Sequence, residues 1–311
     1  MSDKLSGVSQ RILFVSGYHH HVTAHTATVV GQLARDLVLS VDEVPGAGSS
    51  APASGRLEQL GGKGANQAVG LAQLGVRPGL VAVAGDDVIG DVLLQQARRD
   101  GIDVSGVVRR PGTLTGVIVE ILAGGEYRYV EDLPLLTAAE VEAAAGGIER
   151  RDAVLVQLQQ PPDAAAAAAR LGHAAGRLVV LDGAPGDEAL LGHADVVRAD
   201  GKEAGQWLGV PPEEFGPAAR ELLAKGPKLI AVEVPGGNLF VWDGGELAVP
   251  LTDAQVVDTT GGGDAFVAAL TASLLRTETY EAAARFATAA AGATVGHPGG
   301  RPDVRKVAAG G

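Results

Sequence analysis

Cysteine is absent from the 311 residues, so the chain has no disulfide framework and no thiolate chemistry, which fits a reducing compartment. An excess of positive charge is also missing. The formal net charge is -12, which argues against a nucleic-acid partner and against an anionic membrane surface. No apolar run approaches the ~20 residues of a membrane span, and the N-terminus has no signal-peptide core, so a cytoplasmic location is expected. There is no internal repeat, no long linker and no G-x-G-x-x-G after the first strand, which leaves a dinucleotide-dependent enzyme poorly supported.

What is present is a core. Apolar residues make up 46% of the chain, ample for one large α/β domain or two smaller ones. Residues 1–26 read as a polar N-terminal extension. Its His19, His20, His21 and His25 suit a solvated extension better than a metal site, because neither cysteine nor carboxylate accompanies them. From Ala27 to Gly311 apolar β-branched runs alternate with helical patterns. Strand after helix after strand predicts a mostly parallel sheet covered on both faces, a three-layer α/β/α fold. The runs at 104–108, 115–122 and 127–130 have hairpin spacing and predict a small separate sheet. Asp36 falls between two short strand-like pieces and reads locally as a turn residue.

Two glycine-rich stretches stand out. In Gly61-Gly62-Lys63-Gly64-Ala65-Asn66 a tight turn enters a small-residue helix that stops at Gly75. The glycines let a ligand approach the backbone, while Lys63 and Asn66 offer a cation and an amide one helical turn apart. In Asp258-Thr259-Thr260-Gly261-Gly262-Gly263-Asp264-Ala265-Phe266 the glycine amides converge at the start of a buried helix. Such a helix start suits an anion. A carboxylate at Asp264 could take the proton of an attacking hydroxyl while Gly261, Gly262 and Gly263 hold a phosphoryl group. The same residues also suit an ordinary helix start, with Thr260 as cap and Asp264 complementing the dipole.

Together, and with Gly85-Asp86-Asp87-Val88-Ile89-Gly90 between them, the two stretches resemble the paired signatures of the ribokinase-like (PfkB) carbohydrate kinases over residues 27–305. That resemblance implies a three-layer kinase domain with a small β-sheet lid built from about 36–60 and 104–132, and a homodimer through the lid. It implies ATP-dependent phosphorylation of a primary hydroxyl of a sugar, with Mg2+ and K+ as companions. Asp264 would be the base and the amides of Gly261–Gly263 the anion hole; Asp36, Gly61, Gly62, Lys63, Asn66 and Gln159 would meet the sugar. Asp200, Glu233, Gly236, Gly237, Gly263 and Thr288 would meet the nucleotide, with Glu203 acting indirectly on magnesium. Asp258, Thr260, Thr294, His297, Gly299 and Asp303 would surround the monovalent cation.

Three segments depart from the family pattern. Asp200-Gly201-Lys202-Glu203 stands where the family has Asn-x-x-Glu; Glu233-Val234-Pro235 replaces Thr-x-Gly, and Gln159 replaces a glutamate. They keep two other readings open, a nucleoside kinase of the same family and a sugar- or nucleotide-sensing protein with weakened transfer.

Overall fold

The computed structural model describes residues 24–251, 260–296 and 300–308. Of the sequence expectations, His19, His20, His21, Asp258, His297 and Gly299 lie outside these. The chain opens with strands β1 (Thr26–Val30), β2 (Ala34–Ser40) and β3 (Gly55–Gly61), then α1 (Lys63–Gln73), β4 (Arg77–Gly85), α2 (Val88–Arg99) and β5 (Asp103–Arg110). Strands β6 (Gly116–Ala123) and β7 (Glu126–Asp132) precede α3 (Ala138–Ala143), α4 (Ala145–Glu149), β8 (Ala153–Gln157), α5 (Pro162–Ala174), β9 (Leu178–Asp182) and β10 (Val196–Ala199). Helices α6 (Gly201–Leu208) and α7 (Phe215–Leu223) lead to β11 (Leu229–Val234), β12 (Gly237–Trp242) and β13 (Gly245–Pro250), and α8 (Gly262–Leu275), α9 (Tyr280–Thr294) and α10 (Arg305–Ala308) follow.

Among the described residues, nine strands form one sheet in the order β13-β12-β11-β10-β9-β8-β1-β4-β5. All neighbours are parallel except the β11-β12-β13 meander. Its strands are apolar on both faces because both are covered. Along β8, Ala153 and Leu155 belong to one core and Val154 and Val156 to the other; β9 repeats this, with Val180 against Val179 and Leu181. Helices α1, α8 and α9 cover the first face with small side chains that let them approach closely. A Cβ on Gly70 of α1 would lie 2.8 Å from the Ala268 methyl of α8. The three-layer α/β/α architecture read from the alternation is the one observed.

The second sheet has four strands, β3-β2-β6-β7, with β2 and β6 parallel and the outer pairs antiparallel. Two expectations need correction. The run near 104–108 is not part of this small sheet: β5 pairs in parallel with β4 at the edge of the large sheet. The crossover helix α2 between β4 and β5 dictates that, since strands joined through a helix pair in parallel. Asp36 is not in a turn. It sits inside β2, on the same buried face as Ala34 and Val38, because alternation continues through the polar step.

Candidate active site

Parallel α/β sheets bind ligands beyond the carboxyl ends of their strands, and there a cleft of about 720 Å³ lies between the large sheet and the small one. Helix α8 begins at its floor. Its N-cap is Gly261 in the left-handed region at φ +75°, and no side chain caps it. Thr260 is therefore not the cap; it bonds the Tyr129 hydroxyl of the small sheet instead. At a helix start the first-turn amides have no acceptor within the helix, which turns a positive helix end toward the cleft. Packing fixes this turn tightly. A Cβ at Gly261 would fall 1.8 Å from the Gly300 carbonyl oxygen, and one at Gly262 would fall 2.9 Å from Val295, the residue after α9.

Asp264, only 5% exposed, is held by two amides from α1. Asn66 Nδ2 donates to its Oδ2 at 3.3 Å and Gln67 Nε2 to its Oδ1 at 3.2 Å. Burial pushes its pKa up to about 7, with Lys63 drawing it down and Asp182 adding to the rise. The proton of Asp264 is thus exchangeable near neutrality, as a general base requires.

The small sheet supplies the opposite wall. Its register sets Asp36, Ile118 and Glu131 in one cross-strand row, with Glu120 and Tyr129 paired in the next. All five line the cleft, together with Gly62, Lys63 and Asn66. The Asp36 carboxyl packs where a Cβ of residue 61 would be, 1.9 Å from that position, so only glycine fits there. Burial raises the pKa of Asp36 to about 7; the Gly62 amide opposes the rise, and Asp264, Glu120 and Glu131 add to it.

On the far side of α8, Asp200, Gly201, Lys202, Glu233 and Asn238 line the cleft with Ala291 and Gly292 of α9 and Val295 just after it. Asp200 and Glu203 form a reciprocal cap on α6, at 2.8 and 3.0 Å, and the Glu233 carboxylate accepts from the Gly201 amide at 3.4 Å. Thr288 stands behind Asn238, bonded to it at 3.4 Å. Gly236 lies in the Pro235-Gly236 turn between β11 and β12 and Gly237 opens β12, and neither lines the cleft. Gln159 is exposed, accepts a hydrogen bond from Gln157 and does not reach the cleft either. Thr294 donates its hydroxyl to the Ala290 carbonyl and Asp303 pairs with Arg305.

Sequence reading missed several groups. Gln67, Asp182 and Arg198 form a connected buried chain to Asp264, and Glu120, Glu131 and Tyr129 complete the small-sheet wall. The signal for the first set was there: Asp182 closes one apolar strand and Arg198 stands one residue before the end of the next, and a polar residue at such a carboxyl end points toward the ligand side. Glu120 had only strand alternation to mark it.

The pattern of the pfkB family carbohydrate kinases matches residues 24–306. The ribokinase of Bacillus subtilis is 31% identical over 292 residues, covering 90% of this chain and 97% of its own. An ATP-dependent ribose-1-phosphate kinase of Halopiger xanaduensis is 32% identical, covering 87% and 92%. The structure of Arabidopsis thaliana ribokinase complexed with ribose and ATP superposes with a TM-score of 0.77 at 25% identity, over 92% of this chain and 98% of that one. Glycine amides at a helix start, a buried carboxylate beside them and a polar wall opposite thus occur in a chain that belongs to the pfkB family of carbohydrate kinases, enzymes that transfer a phosphoryl group to a sugar.

Proposed function

We propose that this protein phosphorylates a primary hydroxyl of a neutral sugar, ribose or a related pentose or hexose, with ATP as donor and Asp264 as base. The observation that carries the reading is a set of acceptors without donors. Asp36 Oδ1 and Asn66 Oδ1, on residues that line the cleft, and Gln67 Oε1 behind them are buried with no hydrogen-bond partner among the described residues. The carboxylates of Asp264 and Asp182 take the NH2 groups of Asn66 and Gln67, so both amide oxygens are left over. Orphaned buried acceptors cost ~1–3 kcal/mol each. A polyol, which brings several hydroxyl donors at once, meets that demand.

In the reaction the acceptor oxygen bonds to the γ-phosphorus, the bond from that phosphorus to the β,γ-bridging oxygen breaks, ADP leaves and the hydroxyl proton goes to Asp264. The amides at 261–263 stabilise charge on the moving group. Among the described residues no cluster of three or more carboxylates or histidines could hold a metal by itself. Mg2+ would therefore be carried mainly by the phosphates, whose charge it shields, with Asp200 and Glu203 reaching it through water. K+ belongs to the same reading, beside Thr260.

A phosphorylated acceptor fits less well, because it would set its own charge against Asp36, Glu120 and Glu131. The tilted ring pair of Tyr127 and Tyr129, with centroids 5.1 Å apart on the same wall, favours a second acceptor class, a nucleoside whose base stacks there. Coupled ADP release over a panel of pentoses, hexoses, nucleosides and ribose 1-phosphate decides among them. The expected result is turnover of a neutral pentose or hexose that falls when Mg2+ or K+ is omitted; no turnover of any of them would refute the reading. Asp36→Ala is expected to raise the sugar KM by about 10–100-fold, the worth of a charge-assisted hydrogen bond, with the ATP KM unchanged. Steady-state kinetics checks this, and an unchanged sugar KM would remove Asp36 from the sugar site.

A further inference from the structure

We propose that Arg198 is a catalytic residue that meets the transferring phosphoryl group from beside the amides at 261–263. This deepens the kinase reading and rests on it.

The geometry is specific. Arg198 stands one residue before the end of β10, and strand register sets it beside Asp182 at the end of β9, which in turn lies beside Gln157 at the end of β8. Arg198 Nη1 donates to Asp182 Oδ1 at 3.1 Å. The guanidinium carbon lies 5.7 Å from the centre of the Phe266 ring, within cation–π range. On a third side it lies against the helix start: a Cβ on Gly263 would be 2.8 Å from Nη2 and 2.9 Å from Nη1. Gly263 is glycine because the guanidinium fills the place of its side chain. The arginine is therefore held at the amides assigned to the phosphoryl group, and its side chain still keeps 11% exposure while lining the cleft.

Charge makes the same case. Among the described residues, six carboxylates line the cleft against three cations, Lys63, Arg198 and Lys202. Lys63 stands on the sugar side, next to Asn66, and Lys202 is exposed. Arg198 is the buried cation beside Gly263. Burial opposes its charge, but Asp182, Glu203 and Asp200 hold its pKa above the ordinary guanidinium value, so it stays charged throughout the working range. A planar guanidinium with a spare N–H edge suits phosphoryl oxygens. A structural ion pair alone would not need to line the cleft at the anion hole.

The network also joins the two reacting ends. Asp182 Oδ2 accepts from Gln67 Nε2 at 2.7 Å, and that same nitrogen donates to Asp264 Oδ1 at 3.2 Å. Negative charge on Asp182 raises the pKa of Asp264, so a change in how Arg198 neutralises Asp182 is felt by the base.

Removing Arg198 alone leaves the Asp182 carboxylate buried and unpaired, which can unfold the protein. The test therefore uses two variants, Arg198→Lys and the charge-neutral pair Asp182→Asn/Arg198→Gln. Calorimetry with Mg2+ measures binding of ADP and of a non-hydrolysable ATP analogue to each. The expected result is a loss of about tenfold or more for the triphosphate analogue with ADP affected by less than about threefold. In the same pair kcat falls by about 10²–10³-fold at unchanged sugar KM, and the acid limb of its pH profile moves to lower pH because the charge on Asp182 is gone. Equal losses for both nucleotides, or kcat within about fivefold of wild type, would overturn the role of Arg198. Wild-type protein that neither binds the analogue nor phosphorylates a sugar would instead overturn the kinase reading beneath it, and the two failures are told apart by which protein is silent.

Discussion

Asp264→Asn is expected to lower kcat by about 10²–10⁴-fold, the usual worth of a positioned general base, while sugar and nucleotide binding change by only a few-fold. The asparagine keeps the shape of the side chain, and its amide oxygen can still accept from Asn66 or Gln67. What it loses is the ability to take a proton from the acceptor hydroxyl. The same substitution is expected to stabilise the fold at alkaline pH. Because burial raises the pKa of Asp264 from 3.8 to about 7, the folded state binds this proton more tightly than the unfolded state. The stability so gained is fully present below about pH 4 and is lost as pH rises through about 7. Above that, the wild type carries a buried carboxylate that the variant lacks. Scanning calorimetry should therefore find the variant melting above wild type at pH 8, by ~2–4 °C per kcal/mol in a chain of this size, and the gap closing toward pH 5. A kcat within tenfold of wild type would remove Asp264 from the chemistry.

Gly261→Ala is the second large effect. Residue 261 holds φ at +75°, which costs an L side chain roughly 1–2 kcal/mol. Its Cβ would also fall 1.8 Å from the Gly300 carbonyl, a backbone atom that cannot rotate away. Either the 300 segment or the first turn of α8 must shift, and the amides at 261–263 shift with it. Misplacing a reacting group by ~1 Å costs about 10²-fold, and losing one such donor costs about 10²–10³-fold. The variant is expected to fold with a lowered melting temperature and to lose kcat by ~10²–10³-fold, read by thermal melting and steady-state kinetics. Unchanged kcat would mean that these amides do not hold the phosphoryl group.

How much of this was legible in the chain depended on whether the needed residues are contiguous. The amides at 261–263 and the Asp264 carboxylate occupy one short stretch because a helix start supplies the amides and the next residues supply the side chain; Gly61 to Asn66 likewise form one stretch. Both stretches stood out. Asp182 and Arg198 did not, since each is a single polar residue after an apolar run and only the β8-β9-β10 register brings Gln157, Asp182 and Arg198 into one row. The small-sheet wall was hidden for the same reason: Asp36, Ile118 and Glu131 come from three strands.

The errors have local causes too. Strand β5 has hairpin-like spacing to β6, but its crossover from β4 overrides that. Strand β13 was passed over because half of its residues are exposed and it ends on a proline, although Asp243-Gly244 before it, with Gly244 at φ +75°, is a hairpin turn by composition. Gln159 illustrates the opposite failure. Its place in the family pattern suggested a sugar contact, yet it is the neighbouring Gln157 that is buried, bonded to Gln32 at the end of β1.

The central claim is that Asp264 accepts the proton of the sugar hydroxyl. Single-turnover phosphoryl transfer, followed from about pH 5 to about pH 9 at saturating sugar so that Asp36 ionisation stays out of the rate, tests it most directly. The account predicts a rise with one ionisation near pH 7 to a plateau, and the loss of that rise in Asp264→Asn. A pH-independent rate in the wild type, or the same profile in the variant, would contradict it.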